Sequence, residues 1–145
     1  MPNFSGTFSG KAASQTTFSL NDAPNHQFNV AEITGTQKSS DKKWNDATIT
    51  YWGIADLLSG RGAQHGYWVN EHADGDRDFG TFEGEITTAG NEATLAGKFT
   101  FTGGTGQFAG ITGGGTYKGR MPSPLEVEMK WEGAYQLAAA KAQAR

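Results

Sequence analysis

The sequence contains no cysteine. This excludes a disulfide framework, thiolate metal ligands, thioether-linked haem and a cysteine nucleophile. The sequence also lacks any run approaching the roughly 18 apolar residues of a membrane helix, and its first residues do not form a charged segment followed by an apolar one. We therefore expect a soluble protein with no membrane partner. Its compartment stays open: cytoplasmic as the sequence stands, or secreted after removal of a signal peptide.

The sequence also has no large excess of positively or negatively charged residues. Twelve basic residues stand against 15 acidic ones, the net charge is −3, and neither sign forms a block. Nucleic acid is therefore not expected as a partner. A length of 145 residues fits one domain spanning residues 1–145.

Glycine, in contrast, is abundant: 21 glycines separate runs of β-branched and aromatic residues. This punctuation predicts an all-β protein of short strands and turns. Residues 1–27 are weakly patterned and predict a strand at 3–9 followed by a loop, and residues 138–145 predict a tail or short helix. The other predicted strands are 28–36, 47–58, 63–72, 77–88, 92–101, 115–119 and 125–137.

About eight sequential strands joined by short turns suit an up-and-down barrel or a sandwich, and a barrel leaves no open edges on such long hairpins. The last strand alternates strictly, which predicts a core face made of Leu125, Val127, Met129, Trp131 and Tyr135. The strand at 47–58 is partly apolar on both faces, which indicates a possible contact between subunits.

Two sequence patterns match ligand-binding motifs but lack a feature that each motif requires. Residues 104–109 match the dinucleotide fingerprint G-x-G-x-x-A, but the glycines that follow exclude the helix that such a site needs. Asp74, Asp76, Asp78 and Glu85 match a calcium loop, except that Phe79 occupies the position that requires glycine. The alternative interpretation of these acidic residues, without a bound ion, is a solvent-exposed hairpin turn with Asp74 and Gly75 at its centre.

Histidine does not supply a metal site either. His65 and His72 are an odd number of residues apart and would point to opposite faces of one strand. We therefore predict no metal and no cofactor.

The segment 103–110, GGTGQFAG, followed by Gly113 and a strand through Tyr117, resembles the G-G-T-G-x-F stretch of the allene oxide cyclase and dirigent barrel superfamily. FEGEIT at 82–87 resembles the strand before that stretch, and the similarity covers residues 77–137. The resemblance implies a small antiparallel barrel of the calycin-like or allene oxide cyclase-like type, with a mostly apolar cavity. It also implies a homo-oligomer, often a trimer, and chemistry without a redox cofactor or metal.

Strand phase supplies the candidate site residues. Trp68, Asn70 and His72 point the same way, and together with Glu83 they form the preferred ligand site. The strand at 77–88 has two possible phases: one brings Glu83 and Glu85 into the lumen with Phe79 and Thr81, and the other buries Phe82 and Ile86. The predicted catalytic residues are His72, Glu83 and Glu85. The predicted ligand-binding residues are Tyr51, Tyr67, Trp68, Asn70, Phe108 and Tyr117, with Phe108 also able to plug one end of the barrel.

Three functions follow as hypotheses. The first, from the resemblance, is a cofactor-independent isomerase or cyclase acting on a small, largely apolar molecule in the cavity. The second is a non-catalytic carrier like a lipocalin or avidin, which the four tryptophans would also suit. The third is a structural or interaction module whose barrel is filled by its own side chains.

Overall fold

The computed structural model describes residues 3–123 and 125–138, and they form a closed antiparallel barrel of eight strands in sequence order. Each strand pairs with the next one along the chain, and β1 pairs with β8 to close the barrel. The predicted all-β barrel is therefore confirmed. The strands are β1 (Asn3–Leu20), β2 (His26–Ser39), β3 (Thr48–Leu58), β4 (Arg61–Glu71), β5 (Arg77–Ala89), β6 (Glu92–Gly104), β7 (Thr112–Ser123) and β8 (Glu126–Gln136).

Strand β1 corrects one prediction. The expected loop after residue 9 is strand as far as Leu20, because Ser14–Leu20 pairs with β2 after a bulge at Ala13. Residues 13–20 are exposed, so their polar side chains gave no alternating signal although the backbone is paired. The predicted tail lies outside the described residues from residue 139 onward.

Side chains alternate between the lumen and the outer surface along the regular parts of the strands, as the pleat requires. On β8, Val127, Met129, Trp131 and Tyr135 are buried as predicted, whereas Leu125 precedes the strand and is 60% exposed. On β5 the structure has the phase that directs Phe82 and Ile86 inward.

One end of the barrel, here called the upper end, is closed by loop residues. The loop 40–47 folds over this end through a hydrogen bond from Asp46 N to Gln37 O, and it places Trp44 with 1% of its surface exposed. A three-residue 3-10 helix, Gly106–Phe108, lies beside it and buries Phe108 completely. Within the described residues, no helix is long and apolar enough to span a membrane.

Candidate functional site

A cavity of about 80 Å³ occupies the middle of the barrel. Its lining consists of ten aromatic side chains, Ile49, Met129 and three amides, Gln37, Gln64 and Asn70. No charged side chain is among the lining residues described. This composition is that of a pocket for a small, mostly apolar and uncharged molecule.

The upper wall of the cavity is organised around Asp78, which is fully buried. Its Oδ1 accepts hydrogen bonds from Trp68 Nε1 (3.1 Å) and Asn70 Nδ2 (3.0 Å). Its Oδ2 accepts one from Trp44 Nε1 (3.0 Å) and lies 2.6 Å from His72 Nε2. Four donors on one carboxylate satisfy its lone pairs, which makes a buried charge tolerable at this position.

His72 is held as an ion-pair partner of Asp78. Its Nδ1 lies 2.6 Å from the carbonyl oxygen of Lys43, which can only accept, so Nδ1 carries a proton. Burial alone lowers the pKa of His72, but the hydrogen bond and charge of Asp78 outweigh it and raise the pKa overall. The imidazole therefore braces the end of the barrel, with both ring nitrogens engaged.

A chain of amide hydrogen bonds extends from this centre. Trp131 Nε1 donates to Gln37 Oε1 (2.8 Å), and Gln37 Nε2 donates to Asn70 Oδ1 (3.1 Å). Asn70 in turn donates to Asp78. These polar groups of the upper wall are thus matched to one another, and they fix the orientation of the indole and amide groups that line the cavity.

The lower wall differs, because two of its buried polar atoms have no hydrogen-bond partner among the described residues: Tyr117 Oη and Gln64 Oε1. Tyr51 lies near Tyr117, since both rings pack edge-on against Phe82. Burial raises the pKa of both tyrosine hydroxyls above the usual value, so they stay protonated at neutral pH.

The structure brings together some of the predicted site residues. Trp68, Asn70 and His72 converge on Asp78, and Tyr51 and Tyr117 line the cavity. Phe108 closes the upper end, where its ring stacks on His72 with centroids 4.3 Å apart.

Other predicted site residues lie elsewhere. Glu83 and Glu85 are exposed on the outer face of β5, so they do not enter the lumen or join His72. Glu83 is opposite His65 on β4 and Lys98 on β6. Tyr67 is 64% exposed on the outer face of β4.

Asp78, Trp44, Gln37 and Gln64 are the site residues that sequence analysis missed. Asp78 is an even number of residues from Phe82 and Ile86. If those two side chains point inward, this spacing predicts that Asp78 points inward as well. Trp44 lies in a loop, and nothing in strand periodicity indicates that this loop covers the barrel. The two amides have no sequence signal, because their burial depends on partners distant in the chain.

The two imitation motifs have structural roles. In the glycine-rich segment, Gly106 has φ +58°, and a Cβ there would lie 2.0 Å from the Asp76 carboxylate, so glycine is required for this close approach. The four acidic residues of the calcium pattern do not meet, since Asp78 points inward and Glu85 outward. The predicted turn is confirmed, with Gly75 at φ +88°.

No protein-family model matches the chain, and no curated protein matches it. Among solved structures, a pterocarpan synthase dirigent protein is similar, with a TM-score of 0.52 over 94% of this chain and 87% of that chain, at 12% identity. The likeness concerns the fold, and it identifies a dirigent-like barrel. The predicted resemblance is confirmed at that level, without singling out allene oxide cyclases.

Proposed function

From a dirigent-like barrel with an aromatic cavity, we propose that the protein binds one small, largely apolar molecule and holds it in a single conformation. The observation that carries this proposal is the lining: ten aromatic side chains surround a space that they leave open. A barrel filled by its own side chains would have no such space. Binding in this way needs no metal or redox cofactor.

Tryptophan fluorescence tests the proposal directly. Trp44, Trp68 and Trp131 line the cavity, whereas Trp52 is on the outer face, so the variant Trp52→Phe removes the emission that a bound ligand would not reach. We expect saturable quenching by at least one class among terpenoids, phenylpropanoids and fatty-acid epoxides, in the wild type and in this variant alike.

A matched pair of variants locates the binding. Ile49 lines the cavity and Ile54 lies on the outer face of the same strand. Ile49→Trp should abolish the quenching because it fills the cavity, and Ile54→Trp should preserve it. Equal quenching in both variants would place the ligand outside the barrel and overturn the proposal.

A cofactor-independent isomerase or cyclase is the second candidate, and one observation favours it. The hydroxyls of Tyr51 and Tyr117 belong to the cavity wall and remain protonated, so they can donate hydrogen bonds to a confined substrate. His72 is already engaged, and Glu83 and Glu85 are outside, so none of the three predicted catalytic residues reaches the cavity as an acid or base. Product analysis of each bound ligand separates the two candidates: a changed ligand supports the isomerase or cyclase, and an unchanged one supports the carrier.

A further inference from the structure

We propose that the lower wall of the cavity is a docking point for one neutral hydroxyl group, held between Tyr117 Oη and Gln64 Oε1. This inference rests on the proposed function and specifies which molecules the cavity takes: compact apolar alcohols rather than hydrocarbons or carboxylic acids. The polar centre at Asp78 does not take part, because its hydrogen bonds are already made within the protein.

The first argument is that the two atoms are unpaired. Tyr117 and Gln64 are each 8% exposed, both line the cavity, and neither Tyr117 Oη nor Gln64 Oε1 has a partner among the described residues. An unsatisfied buried polar atom costs stability. The contrast with the fully paired amides of the upper wall indicates that these two atoms are kept for a ligand.

The second argument is their placement at one level of the barrel. Gln64 on β4 is opposite Gly84 on β5, which is opposite Gly97 on β6, which is opposite Tyr117 on β7. A Cβ at either glycine would lie 2.5 Å from Tyr117 Oη. The two glycines therefore make room for the phenol to reach back across two strands, which places Tyr117 Oη beside Gly84. Gly84 is opposite Gln64 on the neighbouring strand, and neighbouring strands lie about 5 Å apart.

That geometry suits one bridging group. An oxygen that makes hydrogen bonds of about 2.8 Å to two atoms spans a separation of roughly 5 Å between them. Gln64 Oε1 can only accept, so the ligand must donate to it, and Tyr117 Oη can then donate to the ligand oxygen. A hydroxyl group has this combination of one donor and free lone pairs.

The electrostatics select a neutral group. Among the residues that the structure describes, no charged side chain lines the cavity to pair with a carboxylate, and the carbonyl end of Gln64 would face its negative charge. Burying that charge without a partner is strongly unfavourable. A carboxylic acid should therefore bind as its anion far more weakly than the corresponding alcohol.

The test uses three ligands of the same ring size, cyclohexanol, methylcyclohexane and cyclohexanecarboxylate, with affinities measured by ligand-observed NMR at neutral pH. We expect the wild type to bind cyclohexanol at least as tightly as methylcyclohexane, because the two hydrogen bonds offset the cost of removing the hydroxyl from water, and to bind the carboxylate at least ten-fold more weakly than the alcohol. Tyr117→Phe and Gln64→Met should each weaken the binding of cyclohexanol at least about five-fold, because the buried hydroxyl then lacks one hydrogen bond, while the affinity for methylcyclohexane stays within about two-fold of the wild type. Tyr67→Phe, which changes an exposed tyrosine, is the control and should leave all three affinities unchanged.

A stability measurement separates docking from a structural role. Tyr117→Phe removes no hydrogen bond to any of the described residues, so its midpoint of urea unfolding should equal or exceed that of the wild type. An affinity of the wild type for cyclohexanol at least ten-fold below that for methylcyclohexane, or an affinity for cyclohexanol that is unchanged in Tyr117→Phe, would overturn the docking point and leave the proposed function standing. Failure of both neutral ligands to bind, together with no quenching across the fluorescence panel, would overturn both.

Discussion

At the scale of single residues, Asp78 is the group on which the upper end of the barrel depends most. Asp78→Asn replaces one of the two accepting oxygens with an NH₂ group, which cannot accept the hydrogen bonds that the surrounding groups donate. It also leaves the His72 imidazolium buried without its counter-ion. Breaking a buried pair from one side typically costs about 3–5 kcal/mol. We expect a loss of this size in the free energy of unfolding, measured by urea denaturation.

The matched control is Glu71→Gln. Glu71 pairs with Arg77 at the same end of the hairpin, but the two side chains are 55% and 54% exposed. Exposed pairs contribute about 0–1 kcal/mol, so this variant should remain close to the wild type. A similar small loss for Asp78→Asn would contradict the role assigned to Asp78.

His72 predicts a pH dependence of stability. The folded protein raises the pKa of His72 above its ordinary value of 6.5, so the folded state binds the proton more tightly than the unfolded state. This contribution is complete below pH 6.5 and is lost as the pH rises through the folded pKa. The urea midpoint should therefore fall as the pH rises above neutrality.

His26 is the necessary comparison, because Asp22 and Asp56 raise its pKa as well. The double variant His72→Gln/Asp78→Asn removes the buried pair without leaving a lone charge. Its urea midpoint should depend on pH much less than that of the wild type. His26→Gln should retain the pH dependence of the wild type. If the fall disappears in His26→Gln instead, the surface histidine controls the effect.

Residue identity alone predicted part of the site. Trp68, Asn70 and His72 were correctly placed on one face because parity along a strand follows from the pleat. Glu83 and Glu85 were misplaced in the candidate site because β5 has acceptable apolar residues in both phases. The sequence does not indicate that Gln37 has hydrogen-bond partners whereas the carbonyl oxygen of Gln64 has none among the described residues. The pairing of Gln37 depends on Trp131 and Asn70, which approach from other strands.

At the scale of elements, the 3-10 helix Gly106–Phe108 is the plug of the barrel. Asp76 anchors it by accepting the backbone N–H of Gln107 (3.1 Å), and Phe108 packs on Trp44 and His72. Phe108→Ala should lower the free energy of unfolding by about 3–5 kcal/mol, as for other buried phenylalanines. Chemical denaturation measures it.

Phe18→Ala provides the same chemical change at an exposed position, since Phe18 is 54% exposed on β1. Its effect should stay within about 0.5 kcal/mol, the usual range for surface substitutions. Equal effects at the two positions would show that the plug contributes little to the fold.

Hairpin elements were predicted well, and β1 was not, for a physical reason. Strands β3 to β6 are joined to one another by turns with glycine at positive φ, and they alternate strongly. The second half of β1 is a polar segment that pairs with β2 and has both faces exposed. Periodicity reports the burial of side chains, so it is silent where a strand is held mainly by backbone pairing.

At the scale of the whole molecule, the outer face of β1 to β4 bears on self-association. Six of the seven large apolar residues exposed in the described chain lie on these strands: Phe18, Leu20, Val30, Trp52, Leu58 and Tyr67. The register places Trp52 beside Tyr67, and Val30 beside Ile54. An apolar surface shared by neighbouring strands is typical of a protein contact, which supports the prediction that a second copy of this chain packs there.

Light scattering after size-exclusion chromatography tests this prediction. We expect a mass above 15.5 kDa that rises with protein concentration. Tyr67→Lys and Val30→Lys should restore the monomer mass, and Thr116→Lys, on the exposed outer face of β7, should not. A monomer at every concentration would contradict self-association through this face.

The strict sequence order of the strands has a topological consequence. Seven of the eight strand pairings in the barrel, here called seams, join consecutive strands. The eighth seam, between β1 and β8, joins residues far apart in the chain, with Asn3 opposite Ala134. Because the start of β1 and the end of β8 therefore lie at the same end of the barrel, a circular permutant could join β8, after Gln136, to β1 through a linker and be opened at the exposed turn around Gly75. Such a chain would keep every seam, but β4 and β5 would become the pair that closes the ring, and the slow, long-range step of folding would move there.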